Sequence, residues 1–387
     1  MIFALLIFWI SVLLVLHTYM FYPLILKLFS HGKEGNLLVY GRDEELPFVS
    51  VIIAAHNEEA CIDEKIRSIY HGSYPPDRFE VLIGSDNSSD GTARIITGLL
   101  AGYQSLVFFD FKERRGKGSV VNDLVNSARG SILVLTDANV IFDRDTLFYL
   151  VRHFKNPEIG LVDTNMVNKG MKEGGISFQE KAYISREVRI KDMESRIMGA
   201  MMGPFGGCYA IREEDYKRVP SNFLVDDFYI NMAIFEKNKL AINDVRSVVY
   251  ENIPDDLKVE FKRKVRIGTG NFQNLRRFWR LAFTARYGFA FLSHKIIRWF
   301  GPFLLLAAMA SNIVLALNSR IYLVLLAGHI LLYLIPLLDY FLGKLKIHIG
   351  PFRLVTHFFS MNAALFTGFF RSLRNVRSGA WERTERG

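Results

Sequence analysis

The residues best suited to do chemistry in this sequence stand where an apolar stretch ends, at Asp137-Ala138-Asn139. The preceding Ile132–Thr136 is apolar or β-branched throughout, which is typical of a buried parallel strand. Ligands of an open α/β sheet bind outside the carboxyl ends of its strands. A carboxylate and an amide separated by one residue suit a hard divalent cation bound beside phosphates. A cap of the following turn would use the same residues, so this motif alone leaves both interpretations open.

Polar residues also follow the three strands predicted earlier in the chain. His56 and Glu58 follow the first strand, Asp86 follows the second, and Lys117 stands between two glycines after the third. If the sheet is parallel, all of them lie at the same edge as Asp137. A carboxylate there can bind a ribose hydroxyl or a base N–H, and a lysine flanked by glycines can reach a phosphate. Polar turns, helix caps and a solvated loop are the alternatives.

Strands alternate with helices through the first half of the chain, which indicates βαβ units and a mostly parallel sheet. The second half departs from this alternation. There we predict one more strand and a polar amphipathic helix, Ser177–Met198, at the solvated surface. The predicted strands are 48–55, 79–85, 105–111, 131–136 and 159–167.

Two features of the second half could bind a sugar and activate a hydroxyl group. Gly203–Tyr209 is a glycine-rich turn with aromatic residues on which a sugar can stack, although a tight turn before a core strand has the same composition. Asp226 and Asp227 open a predicted helix, and transfer to a hydroxyl needs a base that takes its proton. Adjacent carboxylates can raise the pKa of one of them toward the useful range. A helix N-cap is the alternative, and it fits Asp226 better.

Taken together and in this order, the motifs HNEE, SDNSSDGT, RRGKG and TDAN resemble those of the family 2 glycosyltransferases of the GT-A fold. The resemblance implies an α/β GT-A domain, a UDP-sugar donor, a polysaccharide or lipid-linked acceptor, and Mg²⁺ or Mn²⁺. It places Glu58 and Asp86 at the uracil and ribose, with His56 beside them. It also places the metal and the diphosphate at Asp137, with Asn139 where the family carries a second aspartate.

The resemblance extends to the acceptor side, where it is similar to membrane polysaccharide synthases. It makes the second acidic residue, Asp227, the base that deprotonates the acceptor. Arg266 aligns with the arginine of the synthase motif Q-x-x-R-W and is expected at the departing diphosphate, whereas Ile267 replaces the tryptophan. That replacement puts processive synthesis in doubt and keeps a single sugar addition open. The residues expected on the acceptor side are Gly207, Cys208, Tyr209, Asp226 and Arg263.

Apolar residues are concentrated at the two ends of the 387-residue chain, half of which is hydrophobic. Crossing a bilayer takes about 20 residues, so the N-terminal run is long enough and, without a cleavage site, is expected to stay as an anchor. Leu354–Phe370 is interrupted by polar groups, so we expect it to be interfacial, re-entrant or packed on other spans, with a fourth full span as the alternative. The predicted parts are an anchor (1–28), a catalytic domain (47–280), an interfacial amphipathic helix (281–299), two transmembrane helices (300–342) and a membrane-associated or membrane-spanning helix with a basic tail (343–387).

Charge and motif content exclude several other classes of protein. The formal charge of +9 comes without a basic-aromatic module for nucleic acid, so we expect membrane lipids rather than nucleic acid as partners. Neither a P-loop nor a dinucleotide-binding glycine motif is present in the sequence. Cys61 and Cys208 have neither metal-site spacing nor an obvious disulfide role, which agrees with a catalytic domain in the reducing cytosol, on the inner membrane. A non-catalytic membrane scaffold with a degenerate site is the remaining alternative.

Overall fold

An eight-stranded sheet carries the polar strand ends described above. The structure is a computed structural model that describes residues 1–169, 177–252, 257–345 and 347–374. The chain divides into two compact units, which we call the sheet unit and the helical unit. Of the described residues, the sheet unit comprises 29–169 and 184–252, and the helical unit comprises 1–28, 177–183, 257–345 and 347–374.

The sheet is parallel where the predicted βαβ units lie and mixed beyond them. Its strand order is β3-β2-β1-β4-β7-β6-β8-β5, in which β1 to β4 run parallel and β7 lies antiparallel between β4 and β6. The predicted alternation of strands and helices in the first half is therefore confirmed. The strands are β1 (Val49–Ala55), β2 (Phe79–Asp86), β3 (Leu106–Phe111), β4 (Ile132–Asp137), β5 (Ile141–Phe142), β6 (Ile159–Lys169), β7 (Cys208–Arg212) and β8 (Leu240–Asn252).

The register brings the polar strand ends to one edge. Ala54 pairs with Asp137 across β1 and β4, and Ala55 pairs with Ser85 across β1 and β2. The inner strands are buried along nearly their whole length, which explains why their sequences are mostly continuous apolar runs. Helices cover the two faces of the sheet and complete the core. Within the sheet unit they are Ile62–Tyr70, Thr92–Leu99, Lys117–Ser127, Thr146–Val151, Asp226–Glu236 and the part of Ser177–Met198 that follows Tyr183.

The helix Ser177–Met198 has the predicted bounds but not the predicted surroundings. Ile190, Lys191 and Glu194 are buried, and the Lys191 ammonium lies 2.8 Å from the Asp163 carboxylate. Glu194 accepts a hydrogen bond from the backbone N–H of Met202 at 3.0 Å. The expectation of a solvated surface helix is therefore wrong. The charged residues that suggested it are satisfied inside the unit rather than by water.

Long helices make up the helical unit, and several of them are apolar. Among the described residues, Ile2–Ser30 and Arg320–Lys344 are each long and apolar enough to cross a membrane, and the number of such spans rises to three if the bent pair Gly288–Trp299 and Gly301–Ala316, which meet at 62°, counts as one. The first of these includes a π-helical turn at His17–Phe21. The remaining helices of this unit are Leu257–Phe278 and Gly350–Ser372, with a 3₁₀ turn at Trp279–Phe283.

The segment 281–299 is not one amphipathic helix with its polar side in water. Its helix begins at Gly288 after a break, and His294 and Arg298 are buried while Phe289 and Leu292 are exposed. His294 and Arg298 therefore face protein, whereas Arg286 is exposed. In a lipid environment, polar side chains are satisfied inside the protein and apolar ones can face outward.

The stretch Leu354–Phe370 lies within the helix Gly350–Ser372, which packs against Leu257–Phe278. A Cβ on Gly368 would come 2.8 Å from the backbone of Gly268, and the rings of Phe272 and Phe369 lie 5.1 Å apart. Small residues let helix backbones approach in this way. The basic tail after Arg374 lies outside the described residues, so the orientation of the C-terminus stays a prediction.

Candidate active site

The loops that follow β1 and β2 interlock at the polar edge of the sheet. Asn57 adopts a left-handed conformation with φ 55, and its side-chain oxygen accepts a hydrogen bond from the backbone N–H of Ser89 at 2.7 Å. The backbone N–H of Glu58 donates to the Thr92 hydroxyl at 2.8 Å, and His56 Nδ1 donates to the backbone oxygen of Asp86 at 2.8 Å. The two motifs thus form one surface, as the parallel sheet predicts.

Asp86 holds the loop that carries Lys117. Its two carboxylate oxygens accept hydrogen bonds from the backbone N–H groups of Arg115 at 2.7 Å and Gly116 at 2.8 Å, and its side chain is buried. Gly116 has φ 83, a conformation that glycine adopts without steric cost. The family resemblance assigned Asp86 only a role at the donor, and the structure adds this role in shaping the RRGKG loop.

Lys117 connects the strand-end aspartate with the acidic pair. Its ammonium donates to Asp137 Oδ1 at 2.6 Å and lies 3.9 Å from Asp226 Oδ2. Burial lowers the pKa of Lys117, but the charges of Asp137 and Asp226 outweigh this effect and raise it overall. Lys117 is therefore a permanent cation at the centre of the site. An ammonium in this position can donate to phosphate oxygens as well as to carboxylates.

The acidic pair lies in the first turn of the helix Asp226–Glu236, where backbone N–H groups favour negative charge. The residue that caps this helix is Val225, so the alternative role of Asp226 as the N-cap is wrong. Burial and then the charge of Asp226 raise the pKa of Asp227 to about 7. A carboxylate with this pKa is half ionised near neutral pH, where a general base works best.

A glycine of the predicted acceptor segment packs directly on the acidic pair. Gly206 has φ 81, and a Cβ there would come 2.7 Å from Asp227 Oδ2. Gly203 likewise lies against the ring of Phe228, the next residue of the helix. Sequence reasoning missed Gly206 because Gly206 and Asp227 lie far apart in the chain. The three glycines of this turn, Gly203, Gly206 and Gly207, were the available signal.

Behind this turn, the next residues belong to the core. The backbone oxygen of Gly207 accepts hydrogen bonds from the N–H of Asp137 at 2.9 Å and the hydroxyl of Thr136 at 3.0 Å. Cys208 and Tyr209 are buried in β7, and burial raises the pKa of the Cys208 thiol to about 12. The Cys208 side chain therefore packs in the sheet rather than on an acceptor surface. Gly207 acts through its backbone, by holding Asp137.

Asn139 lies beside a carboxylate that the sequence did not indicate. Its amide nitrogen donates to Glu251 Oε1 at 3.2 Å, from a strand more than a hundred residues further along the chain. This bond leaves the amide oxygen of Asn139 as the atom that can coordinate a cation. Asp137 and Asn139 thus offer hard oxygen ligands of the type that Mg²⁺ and Mn²⁺ take. In the part of the chain that the structure describes, no cluster of three or more His, Cys, Asp or Glu residues could hold a metal.

Arg263 and Arg266 lie on the helix Leu257–Phe278 of the helical unit. The guanidinium of Arg263 is 3.4 Å from the Glu260 carboxylate on the preceding turn. The roles that the family resemblance gives to both arginines stay predictions.

The comparisons with known proteins agree with this geometry. Residues 50–219 match Glycosyl transferase family 2, so the chain carries a domain of that family. The solved structure of the mannosyltransferase PcManGT from Pyrobaculum calidifontis, in complex with GDP-Man and Mn²⁺, superposes with a TM-score of 0.71 over 95% of this chain and 99% of that chain, at 23% identity. The predicted GT-A fold is confirmed.

Two kinds of curated relative share this domain. A poly-beta-1,6-N-acetyl-D-glucosamine synthase from Staphylococcus epidermidis is 24% identical over 276 residues, which cover 67% of this chain and 66% of that protein. A beta-monoglucosyldiacylglycerol synthase from Trichormus variabilis is 30% identical over 156 residues, which cover 40% of this chain and 33% of that protein. The match therefore spans just under two thirds of the first relative and a third of the second.

Proposed function

We propose that this protein is a membrane-integrated inverting glycosyltransferase, which moves a sugar from a UDP-sugar to a polysaccharide or lipid-linked acceptor. The observation that carries the proposal is the position of Lys117, 2.6 Å from Asp137 and 3.9 Å from Asp226. The Lys117 ammonium thereby connects the strand end, which suits a diphosphate, with the acidic pair, which suits an acceptor hydroxyl. The family 2 domain and both kinds of relative support this assignment.

In the proposed reaction, Asp227 takes the proton of the acceptor hydroxyl as its oxygen attacks the anomeric carbon. The bond from that carbon to the diphosphate breaks on the opposite side, so the configuration inverts in one displacement. Negative charge grows on the departing diphosphate, and Lys117 stabilises it. Tyr209 does not compete with Asp227 as a base. Burial and the charges of Asp226 and Asp227 raise the pKa of the Tyr209 hydroxyl and keep it protonated.

Asp137 and Asn139 would hold a divalent cation, Mg²⁺ or Mn²⁺. When bound, such an ion neutralises the charge on a diphosphate and polarises its oxygens. Two protein ligands leave the other positions to phosphate oxygens and water, which is a usual arrangement for Mg²⁺. Glu58 and Asp86, with His56 between the two loops, are proposed to contact the nucleoside. The sheet unit is proposed to face the cytosol, which is the side of a membrane on which basic loops accumulate.

A screen for nucleotide release tests the proposed function. The full chain, purified in detergent or reconstituted, is incubated with a panel of UDP-sugars and GDP-sugars, with and without a lipid extract. We expect Mn²⁺-dependent release of UDP from one donor, stimulated by an acceptor in the extract. Absence of release from every donor, together with absence of metal-dependent nucleotide binding, would favour the non-catalytic scaffold.

A single-addition lipid glycosyltransferase is the second candidate, and Ile267 favours it. Ile267 stands where related synthases carry a tryptophan that can stack on a sugar. One of the two relatives reported above is a glucolipid synthase by name. Product length separates the candidates, because a ladder of products indicates a polymerising synthase and one product indicates a single addition.

The rate should depend on pH through Asp227. Because burial and Asp226 raise the pKa of Asp227 to about 7, the base is increasingly protonated below that pH. We expect kcat/KM to fall about tenfold per pH unit on the acid side of pH 7. Steady-state rates over a pH series check this, with wild-type nucleotide binding measured across the same series as the control. An acid limb near pH 4, the range of an ordinary carboxyl, would contradict it.

Replacing Asn139 with aspartate should strengthen metal binding. Asn139→Asp puts a charged oxygen where the amide oxygen now is, and hard cations bind carboxylates more tightly than amides. We expect the Mn²⁺ concentration that half-saturates UDP binding to fall severalfold, although repulsion from Glu251 opposes the gain. Asn139→Ala is the matched control and should raise that concentration. An unchanged value in both variants would show that Asn139 is not a ligand.

A further inference from the structure

A buried lysine lies beneath the turn that carries Asp137 and Asn139. Lys65 is on the helix Ile62–Tyr70, and its side chain is fully buried. Its ammonium donates to Thr136 Oγ1 at 2.8 Å and to the backbone oxygen of Val140, and it lies 3.7 Å from the centre of the Phe142 ring. It forms no salt bridge with a carboxylate of the described residues. Burying an ammonium without an ion pair is costly, so an apolar side chain would fill this position at lower cost.

The two acceptors of Lys65 flank the turn. Thr136 immediately precedes Asp137, and Val140 immediately follows Asn139. Thr136 in turn contacts the glycine-rich segment, because its hydroxyl donates to the backbone oxygen of Gly207 at 3.0 Å. The same oxygen accepts the N–H of Asp137 at 2.9 Å. Lys65 thus joins both ends of the turn to each other and, through Thr136, to the glycine-rich segment.

The charge of Lys65 also acts at Asp137. Burial lowers the pKa of Lys65 to about 7, and the nearby negative charge of Asp137 partly opposes that shift. Geometry supports the same role, because Lys117 contacts the Asp137 carboxylate directly at 2.6 Å while Lys65 bonds to the residues on either side of the turn. Both lysines therefore help to fix the position of Asp137.

We propose that Lys65 is a positioning residue, which holds the Asp137–Asn139 turn in the shape that lets its two side-chain oxygens share one divalent cation. This inference rests on the function proposed above, since it concerns the same site. It assigns to a helix outside that site the control of metal-dependent nucleotide binding. The ligand it serves is the cation together with a nucleoside diphosphate.

Lys65→Met tests the inference, because methionine keeps the length of the side chain and removes the charge and the donors. UDP binding to the full chain is measured by isothermal titration, once with Mn²⁺ and once with EDTA. We expect Lys65→Met to weaken Mn²⁺-dependent binding at least about tenfold and to change metal-free binding less than about twofold, as loss of a supporting contact does. Ile66→Val, a buried change at the next position of the same helix, is the matched control and should affect neither measurement.

Thr136→Val is the second variant, and it keeps the test decisive if Lys65→Met does not fold. It removes the hydroxyl that links Lys65 to Gly207 and should also weaken only the Mn²⁺-dependent binding. The double variant should be no worse than the poorer single variant, because the two residues act through one connection. Equal losses with and without Mn²⁺, or an unchanged ratio of the two, would overturn the inference and leave the proposed function standing. A wild-type chain without Mn²⁺-dependent UDP binding would overturn both.

Discussion

Asp227→Asn should lower turnover at least about a hundredfold while nucleotide binding stays close to wild type. The reason is that asparagine keeps the shape of the side chain against Gly206 but cannot accept a proton. Binding of the nucleotide is proposed to depend instead on the loops after β1 and β2 and on Asp137, which the substitution does not change. The measurement is single-turnover product formation at saturating donor, together with titration of UDP in the presence of Mn²⁺.

The matched control is Glu236→Gln at the other end of the same helix, where the carboxylate pairs with Lys217 at 2.9 Å. That change also turns one carboxylate into an amide, and it should leave turnover unchanged. Near-normal turnover in Asp227→Asn would remove Asp227 from the role of base and point to Asp226 instead.

Asp227→Asn should stabilise the folded protein above pH 7, although it lowers turnover. The pKa of Asp227 is raised in the folded protein, so the proton it binds favours the folded state at low pH. That stabilisation is lost as the pH rises from the ordinary carboxyl range through about 7. Asparagine never ionises, so Asp227→Asn should unfold at a higher temperature than wild type above pH 7 and at about the same temperature below pH 4. Thermal unfolding at several pH values then separates lost chemistry from lost structure.

Asp137→Ala should abolish Mn²⁺-dependent nucleotide binding and, with it, detectable transfer. Asp137 is the only carboxylate that the strand-end turn itself offers to a cation, and it also holds Lys117 at 2.6 Å. Removing it eliminates a charged ligand and lets the ammonium move to Asp226, away from the diphosphate position. Titration of UDP with and without Mn²⁺ checks the result.

Asp143→Ala is the matched control for that experiment, because its carboxylate makes only a long hydrogen bond of 3.4 Å from Tyr250 among the bonds described. It should keep metal-dependent binding. Retention of Mn²⁺-dependent binding in Asp137→Ala would mean that the strand end is a turn cap and that the metal, if used, binds elsewhere.

Sequence patterns alone predict the edge of the sheet at which the candidate site lies. Continuous apolar runs specify strands that are buried on both faces, and alternation with helices specifies that those strands are parallel. The ends of parallel strands meet at one edge, so the side chains that follow them must be neighbours. For this reason the nearness of Asp86, Lys117 and Asp137 could be predicted without coordinates. The family motifs then added roles to positions that periodicity had already placed.

The groups that surround those residues could not be predicted, because they depend on how distant segments fold together. Gly206 against Asp227, Glu251 beside Asn139 and Lys65 beneath the turn all join segments far apart in the chain. Such contacts depend on strand pairing and helix packing in the mixed half of the sheet. Local sequence periodicity does not specify which residues pair there. Charge was misleading for the same reason: Lys191 and Glu194 were expected in water, yet they are satisfied by partners that only the fold brings to them. In the helical unit we expect lipid rather than water as the surroundings. Polar residues such as His294 are therefore buried, while apolar residues face outward.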